Sequence, residues 1–199
     1  GSFLTQTALT ASTQYWWKAS AKDPDGNGSF TDSSTCNTFT TGAAQTLTFS
    51  LGATSLALGT LSSGAVTSGS HTLTVGTNAA NGVAVTYSGA TLTSGGNTIT
   101  AMSTAAASSV GTEQFGINAK DNVTPNVGLE CSGTPTIAAA ATGYATVDNF
   151  KFVSGETIVS SAGSINDTTC TISYIANITA ATEAGSYNAT LTYVATGNF

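Results

Sequence analysis

Residues 168–196 read Thr-Thr-Cys-Thr-Ile-Ser-Tyr-Ile-Ala-Asn-Ile-Thr-Ala-Ala-Thr-Glu-Ala-Gly-Ser-Tyr-Asn-Ala-Thr-Leu-Thr-Tyr-Val-Ala-Thr, and their pattern decides the fold class. In the first half Ile172, Tyr174, Ala176 and Ile178 fall on one face while Thr171, Ser173 and Asn177 fall on the other. In the second half Tyr187, Ala189, Leu191, Tyr193 and Ala195 alternate with Asn188, Thr190, Thr192 and Thr196. A period of two is what a half-buried strand requires, since successive side chains of a strand point to opposite faces. Residues 180–185 between them are small, acidic and glycine, the composition of a connecting loop, so the stretch predicts a β-hairpin. Two strands cannot bury an apolar face alone, so the chain must supply a second sheet to cover them.

Composition agrees. Of 199 residues only 7% are charged, and the cations are four lysines with no arginine, so Thr, Ser and Asn must carry the polar surface. A net charge of −6 cannot neutralise a run of phosphates, which argues against nucleic acid and equally against an anionic membrane surface. The longest apolar run, 137–141, is far too short to span a bilayer, which takes roughly 20 residues. No secretion signal pattern is present in these residues.

Residues 2–9, 13–22 and 34–41 read as three strands. In the middle one Tyr15, Trp17, Ala19 and Ala21 share one face, and Trp16, Lys18, Ser20 and Lys22 the other, so one tryptophan is expected in a core and the other exposed. After the small-residue linker 42–45, strands are expected at 46–51, 55–61, 72–77, 83–88, 98–102, 113–119, 149–153 and 157–161. Short strands separated by turn signals such as Asn81-Gly82 and Gly95-Gly96-Asn97 argue an all-β sandwich. Residues 121–145 form a long loop whose alanine tract leaves room for a single helical turn, and loops of that length are usually functional or stapled. A staple is at hand: of Cys36, Cys131 and Cys170, an exported chain gains most from bonding Cys131 to Cys170, which ties this loop to the strand at 168–178. Cys36 is then free or bonded to another chain.

Two resemblances refine this. Leu9-Thr-Ala-Ser-Thr-Gln-Tyr-Trp-Trp-Lys-Ala-Ser-Ala-Lys-Asp23, followed by Phe39-Thr-Thr41, resembles the last strands of a fibronectin type III domain. Over 45–199, the segments Leu-Thr-Phe-Ser-Leu51, His71-Thr-Leu-Thr-Val, Gly-Thr-Glu-Gln-Phe-Gly-Ile-Asn118 and Tyr187-Asn-Ala-Thr-Leu-Thr-Tyr-Val are similar to C-terminal modules of bacterial secreted surface proteins. They are distantly similar to WxL cell-wall-binding domains as well, although no Trp-x-Leu motif is present, so only an exported surface module carries over. The expected architecture is an Ig-like or jelly-roll-type antiparallel β-sandwich at 43–199, preceded at 1–42 by an incomplete fibronectin type III-like strand set.

Asp23-Pro-Asp25-Gly-Asn27-Gly28 matches the first half of a calcium loop, whose alternating oxygens converge on a hard cation, with Asp23, Asp25 and Asn27 as ligands. The twelfth position is Ser34 rather than a bidentate glutamate, and the same residues suit any tight turn, so both readings stand. His71, the single histidine, lacks a nucleophile-elbow context and reads as a surface residue at a strand edge. No enzymatic activity and no other cofactor is expected. Lys18 and Lys151 lie on strands, where an isopeptide crosslink to Asn competes with the plainer reading of an edge lysine. Sequons at Asn27, Asn122, Asn166, Asn177 and Asn188 are about as many as chance gives in a chain so rich in Ser and Thr, so their count shows nothing.

The function these readings imply is that of a structural subunit of a bacterial extracellular filament or cell-surface assembly. With the chain beginning at Gly1, the open strand set is expected to be completed by a neighbouring copy through β-strand addition, with Phe3, Leu4, Tyr15, Trp16, Trp17 and Phe39 as the interface. The alternative is an adhesin-like module that binds cell wall or carbohydrate.

Overall fold

Alternating β-branched and polar residues without a sustained helical period make strands wherever a second layer can cover one face. The computed structural model describes residues 9–22, 25 and 31–199, and every regular element in them is a strand. The chain divides into two compact units, Gly1–Ala44 and Gln45–Phe199.

The first unit contains β1 (Gln14–Trp17), β2 (Ser20–Ala21), β3 (Thr31–Asp32) and β4 (Asn37–Thr40). β1 pairs antiparallel with β4, Tyr15 opposite Phe39 and Trp16 opposite Thr38, and β2 pairs with β3. The Tyr15 and Phe39 rings stack across the ladder with centroids 5.6 Å apart. The expectation of one buried tryptophan is overturned: Trp16 is 65% exposed and Trp17 51%. A two-stranded ladder leaves both of its faces open, so alternation sorts side chains between faces without burying either. The expected strand at 2–9, with Phe3 and Leu4, lies outside the described residues.

The second unit runs β5 (Leu47–Leu51), β6 (Thr67–Thr77), β7 (Val83–Gly89), β8 (Thr93–Ser94), β9 (Asn97–Thr98), β10 (Ala106–Ala107), β11 (Gln114–Asn118), β12 (Asn122–Val123), β13 (Asn126–Val127), β14 (Ala139–Ala140), β15 (Asn149–Phe150), β16 (Thr157–Ser161), β17 (Ile165–Asn177) and β18 (Leu191–Gly197). Two four-stranded antiparallel sheets make the sandwich: β11-β17-β6-β5 and β14-β16-β7-β18. Their inner faces share one core, in which Leu73, Val75, Ile117 and Ile172 of the first sheet join Val83, Val85, Tyr87 and Ile158 of the second.

The hairpin expected at 168–196 does not form. β17 pairs with β6 and β11 in the first sheet, whereas β18 pairs with β7 in the second, so the chain between them crosses from sheet to sheet. Both apolar faces still point inward, and the Tyr174 and Tyr193 hydroxyls meet across the core at 2.5 Å. Alternation states which face a strand buries and is silent on which strand lies beside it.

β17 is buried on both faces. Ile172 and Tyr174 point into the sandwich, while Ile175 packs outside it with Met102 and Phe150 in a second cluster. β10 and β15 pair there, and Lys151 bridges to Ile117. Three further expectations are corrected. The alanine tract has no helical turn, because Ala139 and Ala140 pair with Ser160 and Val159. Residues 98–102 are strand only at Thr98, with one parallel bridge at Ala101. Residues 55–61 form no strand at all.

Candidate functional site

β5 ends the first sheet and β18 ends the second, and between these free edges the sandwich opens into a groove of about 1040 Å³. The reason lies in strand lengths. β6 pairs with β5 only from Leu73 to Thr77, so its earlier half has a partner on the β17 side alone. Apolar side chains that line the groove, among them Leu51, Leu58, Leu61, Tyr187 and Leu191, pack on the core while staying partly open. Glu183, Ser186 and Asn188 supply a polar rim.

His71, Tyr174 and Tyr193 form the polar part of the groove wall. His71 Nδ1 lies 3.1 Å from the carbonyl oxygen of Thr72, which can only accept, so the neutral ring carries its proton there. Nε2, 2.8 Å from the Tyr174 hydroxyl, is then the acceptor, and Tyr193 donates in turn to the Tyr174 oxygen. Burial pushes the Tyr174 phenol up to about 12, and desolvation likewise raises Tyr193. The expectation of a surface histidine is therefore corrected. β6 begins at Thr67 rather than 72, so His71 sits within a long strand and shares the inward parity of Leu73 and Val75. Its Nε2 is occupied by a phenol, and no Ser, Thr or Cys side chain bonds to the ring among the described residues.

A second polar chain runs through the interior. Lys151 Nζ donates to Glu156 Oε1 at 2.7 Å, Tyr144 donates to Oε2 at 2.7 Å, and Tyr87 donates to the Tyr144 oxygen at 2.7 Å. The Val153 amide donates to the Tyr87 oxygen. The Lys151 and Tyr144 bonds hold the Glu156 carboxyl below its ordinary value, while burial first, and then its bond partners, raises Tyr144. Lys151 also lies over the Tyr144 ring at 5.7 Å. With Glu156 and Tyr144 as its partners and no amide side chain bonded to it among the described residues, Lys151 is not placed there for an isopeptide crosslink. Lys18 is exposed.

Cys131 and Cys170 are bonded as expected, and Cys36 is an exposed free thiol. Asp25 lies in a turn, Asp23 and Asn27 lie outside the described residues, and no three acidic, histidine or cysteine side chains converge among the described residues. The sequons at Asn122 and Asn177 are closed to modification in the folded chain, since those side chains are buried at 2% and 1% exposure. Neither the groove nor the two tyrosine chains was read from the sequence. The signal available was the inward parity of Tyr174 and Tyr193, which places two hydroxyls in an apolar face that must satisfy them. No family model matches the chain, and neither a curated protein nor a solved structure matches it.

Proposed function

We propose that this protein is a structural subunit of a bacterial extracellular filament or surface assembly, joined to its copies by β-strand addition. One observation carries the reading: a single chain holds both an aromatic hairpin with open faces and an apolar groove between two free sheet edges. Trp16, Trp17 and Phe39 are 65%, 51% and 45% exposed, more than scattered surface residues explain when they stand together on one hairpin. Edges β5 and β18, each laddered on one side only among the described residues, present N–H and C=O groups, the template on which another chain adds a strand. A contact between two different surfaces of like subunits does not close on itself and propagates as a fibre. The disulfide suits an oxidising exterior, where the reading places the protein.

The test is deletion of residues 1–41. Full-length protein should form filaments by negative-stain microscopy, and the remaining sandwich should be a monomer by light scattering. A monomeric full chain at high concentration, or a deletion variant that still polymerises, overturns the reading. The aromatic wall of the groove, His71 with Tyr174 and Tyr193, favours a second reading as a glycan-binding surface module. Co-sedimentation of monomeric protein with purified cell wall, lost in Tyr187→Ala, would support that one instead.

A further inference from the structure

Residues 53–61, Ala-Thr-Ser-Leu-Ala-Leu-Gly-Thr-Leu, have the composition of a strand and none of its bonds. The last rung before them is the Gly52 amide, which donates to the Thr72 carbonyl at 2.8 Å. Beyond it no backbone or side-chain group of 53–61 makes a hydrogen bond to any described residue. The segment contains no proline, so each of its residues presents both a donor and an acceptor. Most of it is exposed, which leaves those groups to water. Side chains alone hold it in place: Leu58 and Leu56 lie over Gly69 of β6, 3.1 and 3.2 Å from where a Cβ would stand. It thus lines the groove with its backbone groups unbonded among the described residues, and Gly59, at φ 78°, together with bends at Thr54 and Thr60 leaves it short of a regular strand until a partner extends it.

We propose that residues 53–61 are the receiving segment of the assembly contact, and that their backbone pairs with an edge of the β1–β4 hairpin of a second copy that has no partner among the described residues. This rests on the assembly reading above and names the element that receives. Three observations select the occupant. The hairpin supplies the open aromatic faces that an apolar groove can cover. Its first arm, β1 and β2 together, runs from Gln14 to Ala21 with a break at 18–19, close to 53–61 in length. Charge is complementary as well: Lys18 of the hairpin and Glu183 at the groove rim are both exposed, and neither has an ion-pair partner among the described residues. A strand that binds here gains main-chain bonds without displacing any, so ordering the segment is the main cost.

Hydrogen exchange with peptide-level resolution tests the assignment on the full-length chain, in dilute monomer and after assembly. Trp16 and Trp17 are the only tryptophans, so their emission reports the hairpin independently. In monomer, amides of 53–61 should exchange at nearly unstructured rates; in assemblies they should slow by about 100-fold or more, as hydrogen-bonded amides do, with emission shifted to the blue. Assemblies with blue-shifted tryptophan but unprotected 53–61 overturn this inference and leave the assembly reading standing. Protection that moves instead to residues 67–71, the open edge of β6, overturns it in the same way. Protection in a chain that stays monomeric shows its own hairpin in the groove and refutes the second copy. Failure to assemble at any concentration refutes both readings.

Discussion

Reduction of the Cys131–Cys170 bond is the perturbation whose size the structure fixes best. The two cysteines are 39 residues apart, and the loop between them leaves the first sheet, contributes β14 and β16 to the second, and returns to β17. Opening it frees the denatured chain to separate elements of both sheets. The chain-entropy relation for a closed loop of about 40 residues gives about 13 cal/mol/K, or about 4 kcal/mol at 25 °C. For a chain of this size each kcal/mol moves the midpoint by about 2–4 °C, so full reduction should lower Tm by about 8–16 °C. The Ser132–Thr169 bridge, bonded both ways at 2.9 Å, remains beside the broken link and keeps the native geometry. Reduction is cleaner than substitution because Cys170 is fully buried and its replacement would add a cavity. The assay is calorimetry with and without a phosphine reductant, with mass mapping after alkylation to prove both thiols free. Cys36 is an internal control, being labelled in either state. A fully reduced protein that melts within about 2 °C of the oxidised one would refute the reasoning, since by the loop-closure account the staple would then constrain nothing.

Two further outcomes follow from the packing. Glu156→Gln removes the carboxylate that Lys151 and Tyr144 share; because the glutamate side chain is 35% exposed, the cost at pH 7 should be under about 1 kcal/mol by chemical denaturation. The folded Glu156 sits below its ordinary value of 4.5, so its contribution is present above pH 4.5 and is lost as pH falls through the folded value; the variant should lack that acid limb, and identical acid profiles would count against the network. Gly116→Ala places a Cβ 2.7 Å from Met102 Sδ and 2.8 Å from Phe150 Cβ, so overpacking of the outer cluster should destabilise by about 1–3 kcal/mol, and a variant as stable as the parent would show that this layer yields.

Much of the fold was legible in the sequence because period two is a local property. It gave the all-β class, the inward parity of Ile172, Tyr174, Leu191 and Tyr193, and strands at β5, β7, β11 and β16 close to their expected bounds. The disulfide was legible too, since a long loop beside a buried strand is where a staple gains most. Pairing was not. β17 and β18 adjoin in sequence and look like a hairpin, yet each finds its ladder with a strand about a hundred residues away, because two inner faces can meet across a core as well as beside each other in a sheet. For the same reason residues 55–61 carry a strand's alternation without a strand's bonds, while Ala139 and Ala140, which look helical, are held extended by β16. Side-chain parity is written residue by residue. The hydrogen-bond partner, the two-sided burial of Ile175, and the groove that brings His71 to Tyr174 depend on which distant strands arrive at one place, and only tertiary structure decides that.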